Sequence, residues 1–192
     1  CSRIMHYHSM GAWSVLMNIT QHPSSDYIKQ ETIKRLIVLH YTGGLYPGYE
    51  STLAIRDYVN VHYSIRRTGE IIQYFPEKYF AYHTGTTLQD AMDSIGIECE
   101  ADGQLTRNKN QLLTWYKKVV PWKEVVKCNL FRGFQYWHCL TPAQYEALDF
   151  LIPDIRSRNP INEICTHAQK KATKLDFPPD FPGLDKYLLK VS

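Results

Sequence analysis

Long apolar runs are missing from this chain. Nothing in its 192 residues approaches the ~20 needed to cross a bilayer as a helix, so a membrane-spanning helical protein is not expected. Clusters of Lys and Arg are also missing: 22 basic against 19 acidic residues leave a formal charge of +3, without the basic stripe that marks a nucleic-acid binder. No nucleic-acid partner is expected. Cysteine is scarce, five in all and an odd number, with no C-x-x-C or other metal spacing. A complete disulfide framework and a thiolate zinc cluster are thereby disfavoured, although Cys128 and Cys139 flank an aromatic stretch and could pair. The first thirty residues lack the charged, apolar, small-residue order of a signal peptide, and no repeat or low-complexity segment is visible. A soluble domain is expected.

What is present is a composition of 44% hydrophobic and 21% charged residues with a surplus of aromatics, 14 of them Tyr. The length suits one core rather than two. Residues 1–30 show no sustained period and read as an N-terminal arm, leaving 31–192 as the main domain. Residues 35–41 (RLIVLHY) form an apolar, β-branched run closed by Thr42-Gly43-Gly44, which predicts a buried strand with His40 at its C-terminal end. A short helix is expected over 51–59. Two runs, 61–67 and 70–75, meet at Thr68-Gly69 as a hairpin. In 94–100 (SIGIECE) alternation puts Ile95, Ile97 and Cys99 on one face, and Gly96, Glu98 and Glu100 on the other.

Thr141, Pro142 and Gln144 spell a capping box ahead of the apolar stripe Tyr145, Leu148, Leu151, Ile152 and Ile155, the clearest helix in the chain. A short strand follows at 163–167, and the tail 184–190 reads as a last helix. Only 104–139 resists a reading: rich in Trp, Tyr, Lys and Val but without a clean period, it is expected to be an insertion. Its aromatics Trp115, Trp122, Tyr136 and Trp137 either pack or anchor a protein partner. Strands alternating with helices around one hairpin predict an α/β class, a single domain with a mixed β-sheet flanked by helices on both faces.

His40 and His167 each close an apolar strand, the edge of an open α/β sheet where ligands bind. Lys174-Leu175-Asp176 follows His167 at short range. Any one of the eight histidines is more often structural than a ligand; the matching placement of two, with an aspartate nearby, points to a three-ligand N/O zinc site open to water. Glu98 could serve as base and Lys174 as oxyanion partner, though each alone reads as an ordinary solvated charge. Arg66 and Arg67 could bind a carboxylate.

The strings LIVLHYTGG, NVHYSIRRTGEIIQYFPEKYFAYHTG, SIGIECE, LTPAQYEAL and TH…K-x-D, in that order, resemble the type 2 N-acetylmuramoyl-L-alanine amidases, which share a fold with the peptidoglycan recognition proteins. The resemblance runs from about Arg35 to Pro182, outside the arm and the insertion. It implies a zinc enzyme cleaving the amide between N-acetylmuramic acid and L-alanine, with His40, His167 and Asp176 as ligands, Glu98 as base and Lys174 at the oxyanion. It places His62 and His83 near the substrate, and leaves His6, His8, His22 and His138 as surface or structural residues. Family members usually carry a longer, Gly-containing stretch before K-x-D and Pro-Gly after it, where this chain has AQKKAT and Phe177-Pro178-Pro179.

The implied substrate is peptidoglycan or a muropeptide, and the implied place of action is the bacterial cell wall, reached from the periplasm, by secretion or by phage delivery. A binding module that keeps the groove without cutting is the alternative, but such proteins lose a ligand or the base, and here all five positions are filled. Cys1 in first place fits a trimmed chain or the lipid-bearing residue of a lipoprotein, trimming being the simpler reading.

Overall fold

A computed structural model describes residues 3–5, 17–53 and 58–189. The first 53 residues contribute strands β1 (Arg3–Met5), β2 (Met17–Gln21) and β3 (Leu36–Tyr41), then helix α1 (Gly48–Leu53). The middle of the chain adds β4 (Tyr63–Ile65), β5 (Ile71–Gln73), α2 (Leu88–Asp93) and β6 (Ser94–Cys99). Five strands follow: β7 (Gln104–Asn108), β8 (Gln111–Leu113), β9 (Val119–Val120), β10 (Val125–Phe131) and β11 (Phe134–His138). Helix α3 (Pro142–Arg158), β12 (Glu163–Thr166) and α4 (His167–Lys170) complete the order.

Seven strands make a mixed sheet in the order β1-β2-β5-β4-β6-β3-β12. Its centre is parallel, β4 and β3 flanking β6, with β12 parallel to β3. β4 and β5 form the expected antiparallel hairpin, and Gly69 supplies the positive φ (+86°) of its turn. Part of the segment read as an arm, β2, runs parallel to β5 and extends the sheet.

Strand alternation divides the sheet's faces. Ile37 and Leu39 of β3, Ile95, Ile97 and Cys99 of β6 and Ile164 of β12 join α3's Leu148, Leu151, Ile152 and Ile155 in the main core, where each buried aliphatic contributes about 1.5–3 kcal/mol. The expected capping box of α3 is formed: Thr141 accepts from the Gln144 N–H while the Gln144 side chain accepts from the Thr141 N–H. Leu36, Val38 and Cys165 gather on the opposite face. Because β3 alternates, His40 shares that face, away from α3.

Residues 104–139 hold a second, antiparallel sheet ordered β10-β11-β7-β8-β9. It has a small core of Leu105, Leu112 and Val120, while Cys128 and Trp137 reach into the main core. Trp137 is fully buried, so it cannot anchor a partner. Cys99, Cys128, Cys139 and Cys165 are free thiols, so the Cys128–Cys139 pairing is not formed; Cys1 lies outside the described residues. The tail is not the expected helix: Leu184 and Tyr187 turn into the core, and Leu189 bridges Ile164 at the edge of β12. Of the 51–59 helix, α1 ends at Leu53, and 54–57 lie outside the described residues.

Candidate metal centre and active site

Register brings the site together. His40 pairs with Glu98 across β3 and β6, and Leu39 pairs with Thr166 across β3 and β12. His167, the next residue, therefore stands beside His40. Three neighbouring parallel strands thus end in a row of Glu98, His40 and His167, on the face opposite α3. Asp176 arrives from the loop after α4, tied down where the Ala168 N–H donates to the Asp176 carbonyl.

Three ligand atoms converge. His40 Nδ1 and His167 Nδ1 are 2.9 Å apart, and Asp176 Oδ2 lies 3.3 Å from the first and 3.1 Å from the second. Ligands held ~2.0–2.2 Å from a tetrahedral divalent ion stand about 3.3–3.5 Å from one another, so the triangle is close to metal size. No other group of three metal-binding side chains occurs among the described residues.

Tautomers sharpen the point. His167 Nε2 lies 2.8 Å from the Thr84 carbonyl, which can only accept, so Nε2 carries the proton and Nδ1 of the neutral ring is a bare lone pair facing a carboxylate. A cation or an added proton must fill that gap. Burial alone would raise the Asp176 carboxyl; with protons standing in for an ion, hydrogen bonds from His167 and His40 outweigh burial and hold it at about 2. Burial pushes His40 down to about 4, against the pull of Asp176. Two imidazoles and one carboxylate, converging through single lone pairs, are the donor combination a divalent ion requires.

A second shell orients the first. His40 Nε2 meets His83 Nδ1 at 3.0 Å, and His83 Nε2 meets Ser94 Oγ at 2.8 Å. With His40 Nδ1 free for a ligand bond, protons run one way along this chain: His40 Nε2–H to His83 Nδ1, then His83 Nε2–H to Ser94 Oγ. The His83 ring lies over Gly96, where a Cβ would meet His83 Nδ1 at 2.9 Å and Val61 Cγ1 at 3.0 Å. Gly96→Ala is thus expected to displace His83 and weaken metal binding roughly 10–100-fold, measurable by competition with a chromogenic chelator.

His40, His167, Asp176, Glu98, Lys174 and His83 all line one pocket of about 270 Å³. Glu98 Oε2 is buried there without a hydrogen-bond partner, and burial, reinforced by the charge of Asp176, raises its pKa well above the usual carboxylate range. Glu100, which the alternation of 94–100 puts on the same face as Glu98, is taken: its carboxylate accepts from the Tyr46 and Arg67 N–H groups.

His62 is not brought to the pocket. It is fully buried, with Nδ1 accepting from the Gly96 N–H and Nε2 donating to the Tyr79 carbonyl, so it braces β6 where a substrate contact was expected. Arg66 is held by Glu70 and Glu50, and the Arg67 guanidinium by the Cys139 carbonyl. His138 is buried 3.0 Å from Asp102, His22 is exposed, and His6 and His8 lie outside the described residues. Thr84, Ser94 and Gly96 were not singled out as site residues by sequence reasoning; only the small residues on the polar face of β6 hinted at a ring packed there.

A family model described as N-acetylmuramoyl-L-alanine amidase matches residues 29–179. The chain belongs to that family. No curated protein matches it in sequence. Among solved structures, AmiD from E. coli, in complex with the substrate anhydro-N-acetylmuramic acid-L-Ala-D-gamma-Glu-L-Lys, is similar at 24% identity and a TM-score of 0.58 over 80% of this chain. The match spans 55% of the AmiD chain. LysC, an N-acetylmuramoyl-L-alanine amidase from Clostridium intestinale, is similar at 15% identity and a TM-score of 0.57, covering 90% of this chain and 98% of its own. AmpDh3 from Pseudomonas aeruginosa aligns at 19% identity and a TM-score of 0.57, over 83% and 60%. These likenesses establish the family's fold, a central mixed sheet with helices.

Proposed function

We propose that this chain is a zinc-dependent N-acetylmuramoyl-L-alanine amidase acting on the bacterial cell wall, where it hydrolyses the amide joining N-acetylmuramic acid to the L-alanine of the stem peptide. One observation carries the reading: bare nitrogen and oxygen lone pairs of His40, His167 and Asp176 converge beside Glu98, a half-buried carboxylate whose enclosed Oε2 has no hydrogen-bond partner.

A zinc ion held by those three residues would lower the pKa of a water toward ~7 and polarise the carbonyl under attack. Glu98 takes the proton of the attacking water. As the new C–O bond forms and the C–N bond breaks, Glu98 returns that proton to the leaving amine, giving a lactyl carboxylic acid and a free L-alanine amino group. Burial, then the charge of Asp176, raises the pKa of Glu98, which strengthens it as a base toward the proton of water. Lys174, on the wall of the same pocket, faces the oxygen on which negative charge develops. His83 and Thr84 keep both imidazoles aimed throughout.

Digestion of purified peptidoglycan by zinc-loaded and chelator-stripped protein, with mass spectrometry of the products, tests this. Stem peptides with a free L-alanine amino terminus are expected only with zinc. A zinc-loaded protein that binds peptidoglycan but releases no peptide would overturn the reading in favour of a recognition module.

A further inference from the structure

We propose that Trp115, at the tip of the β8–β9 hairpin, is a stacking platform for a sugar of the glycan strand beyond the muramyl residue. This inference rests on the amidase reading above. The tip is fastened to both loops that leave the strands of the site. Trp115 Nε1 donates to the Gly43 carbonyl at 2.6 Å, three residues past His40, and the Tyr116 hydroxyl donates to Asp102 Oδ1 at 2.5 Å, four residues past Glu98. The hairpin therefore stands at the edge of the sheet where the site opens.

Its indole is fixed yet uncovered. The N–H bond to Gly43 sets one edge of the ring, and Tyr116 packs against it edge-on at 5.2 Å, while 67% of Trp115 stays exposed. Trp137, in the same sheet, is fully buried. A large apolar face held rigid in water, on the loops that leave the strands of the site, contributes affinity at little entropic cost because its rotamer is already chosen. Open space adjoins it: a Cβ placed on Gly43 or Gly44 would meet nothing within 4 Å.

A pyranose ring fits this surface. It presents a flat face of C–H bonds to an indole, with hydroxyl and N-acetyl groups at its rim for the backbone of the adjoining loop. A protein partner fits poorly, since Trp115, Tyr116 and Val119, the exposed apolar side chains of the tip, fall far short of the ~800 Å² per side of a stable interface.

The test compares wild type, Trp115→Ala and Trp115→Phe as zinc-loaded full chains. On a disaccharide-peptide, Trp115→Ala is expected to raise KM about tenfold with kcat nearly unchanged, the signature of lost ground-state binding, and Trp115→Phe to recover most of the loss. On a peptide carrying a single muramyl sugar, all three should agree. A tetramer of N-acetylglucosamine, titrated by tryptophan fluorescence, should bind wild type about tenfold tighter than Trp115→Ala. Equal KM values on the disaccharide-peptide, or an equal loss on both substrates, would overturn the platform. If no protein cleaves either substrate, the amidase reading fails by itself, and the oligosaccharide titration still decides the platform.

Discussion

Glu98→Gln is expected to bind zinc like the parent while losing about 10²–10⁴-fold in kcat, the contribution of a positioned acid–base group. Gln keeps the shape of the side chain but cannot take a proton from water. Metal content by atomic absorption and turnover on a muropeptide check the two halves together. Full activity in this variant would remove Glu98 from the mechanism; Glu100, whose carboxylate is bound by two backbone N–H groups, is poorly placed to replace it.

The same substitution has a stability consequence in the metal-stripped protein. Burial, then the charge of Asp176, raises the folded pKa of Glu98 above the unfolded value of ~4.3. Between those two values the folded chain holds a proton that the unfolded chain gives up, so stability falls as pH rises through that window. Gln does not titrate. Glu98→Gln should therefore melt higher than the parent at neutral pH, and the gap should close on acidification toward pH 4. A constant gap across the range would show that burial of this carboxylate is not what sets the difference.

His40→Ala is expected to abolish both metal binding and turnover. It removes one of three ligand atoms, and takes from Asp176 Oδ2 and His167 Nδ1 a neighbour at 3.3 and 2.9 Å. The loss in affinity should exceed the roughly 10–100-fold attached to an outer-shell partner. Thermal melts read this without any substrate: zinc at 100 times its Kd stabilises the parent by about 2.7 kcal/mol, and the variant should not respond. A variant that still melts higher with zinc would place the ion elsewhere.

Much of this architecture is legible in the sequence because it is local. The β-branched run of β3, the alternation of β6 and the capping box of α3 each declare an element within a few residues, and strand alternation assigns His40 and Glu98 to the face away from α3. The parts that escaped depend on distant partners. Ser94 and Thr84 matter only because His83 and His167 lie against them, 11 and 83 residues away in the chain. The second sheet hides because β8 and β9 are only three and two residues long and Val119 and Leu130 stand largely exposed, blurring the period that marks a strand. The tail has helix-like apolar spacing, yet Leu184 and Tyr187 satisfy the core from successive turns. His62 matched a position near the site, and only the structure shows both of its nitrogens occupied.

The β10–β11 hairpin also grips the segment that carries Asp176. From its turn, Arg132 donates to the carbonyls of Lys174 and Ala168, and the Asn129 N–H of β10 donates to Asp180. The third ligand is thus clasped from outside by a piece of chain that contributes nothing to the pocket's chemistry. Energetic coupling of this kind is reciprocal: whatever steadies the hairpin steadies the aspartate, and an ion captured at the centre would in turn slow the opening of a hairpin it never touches.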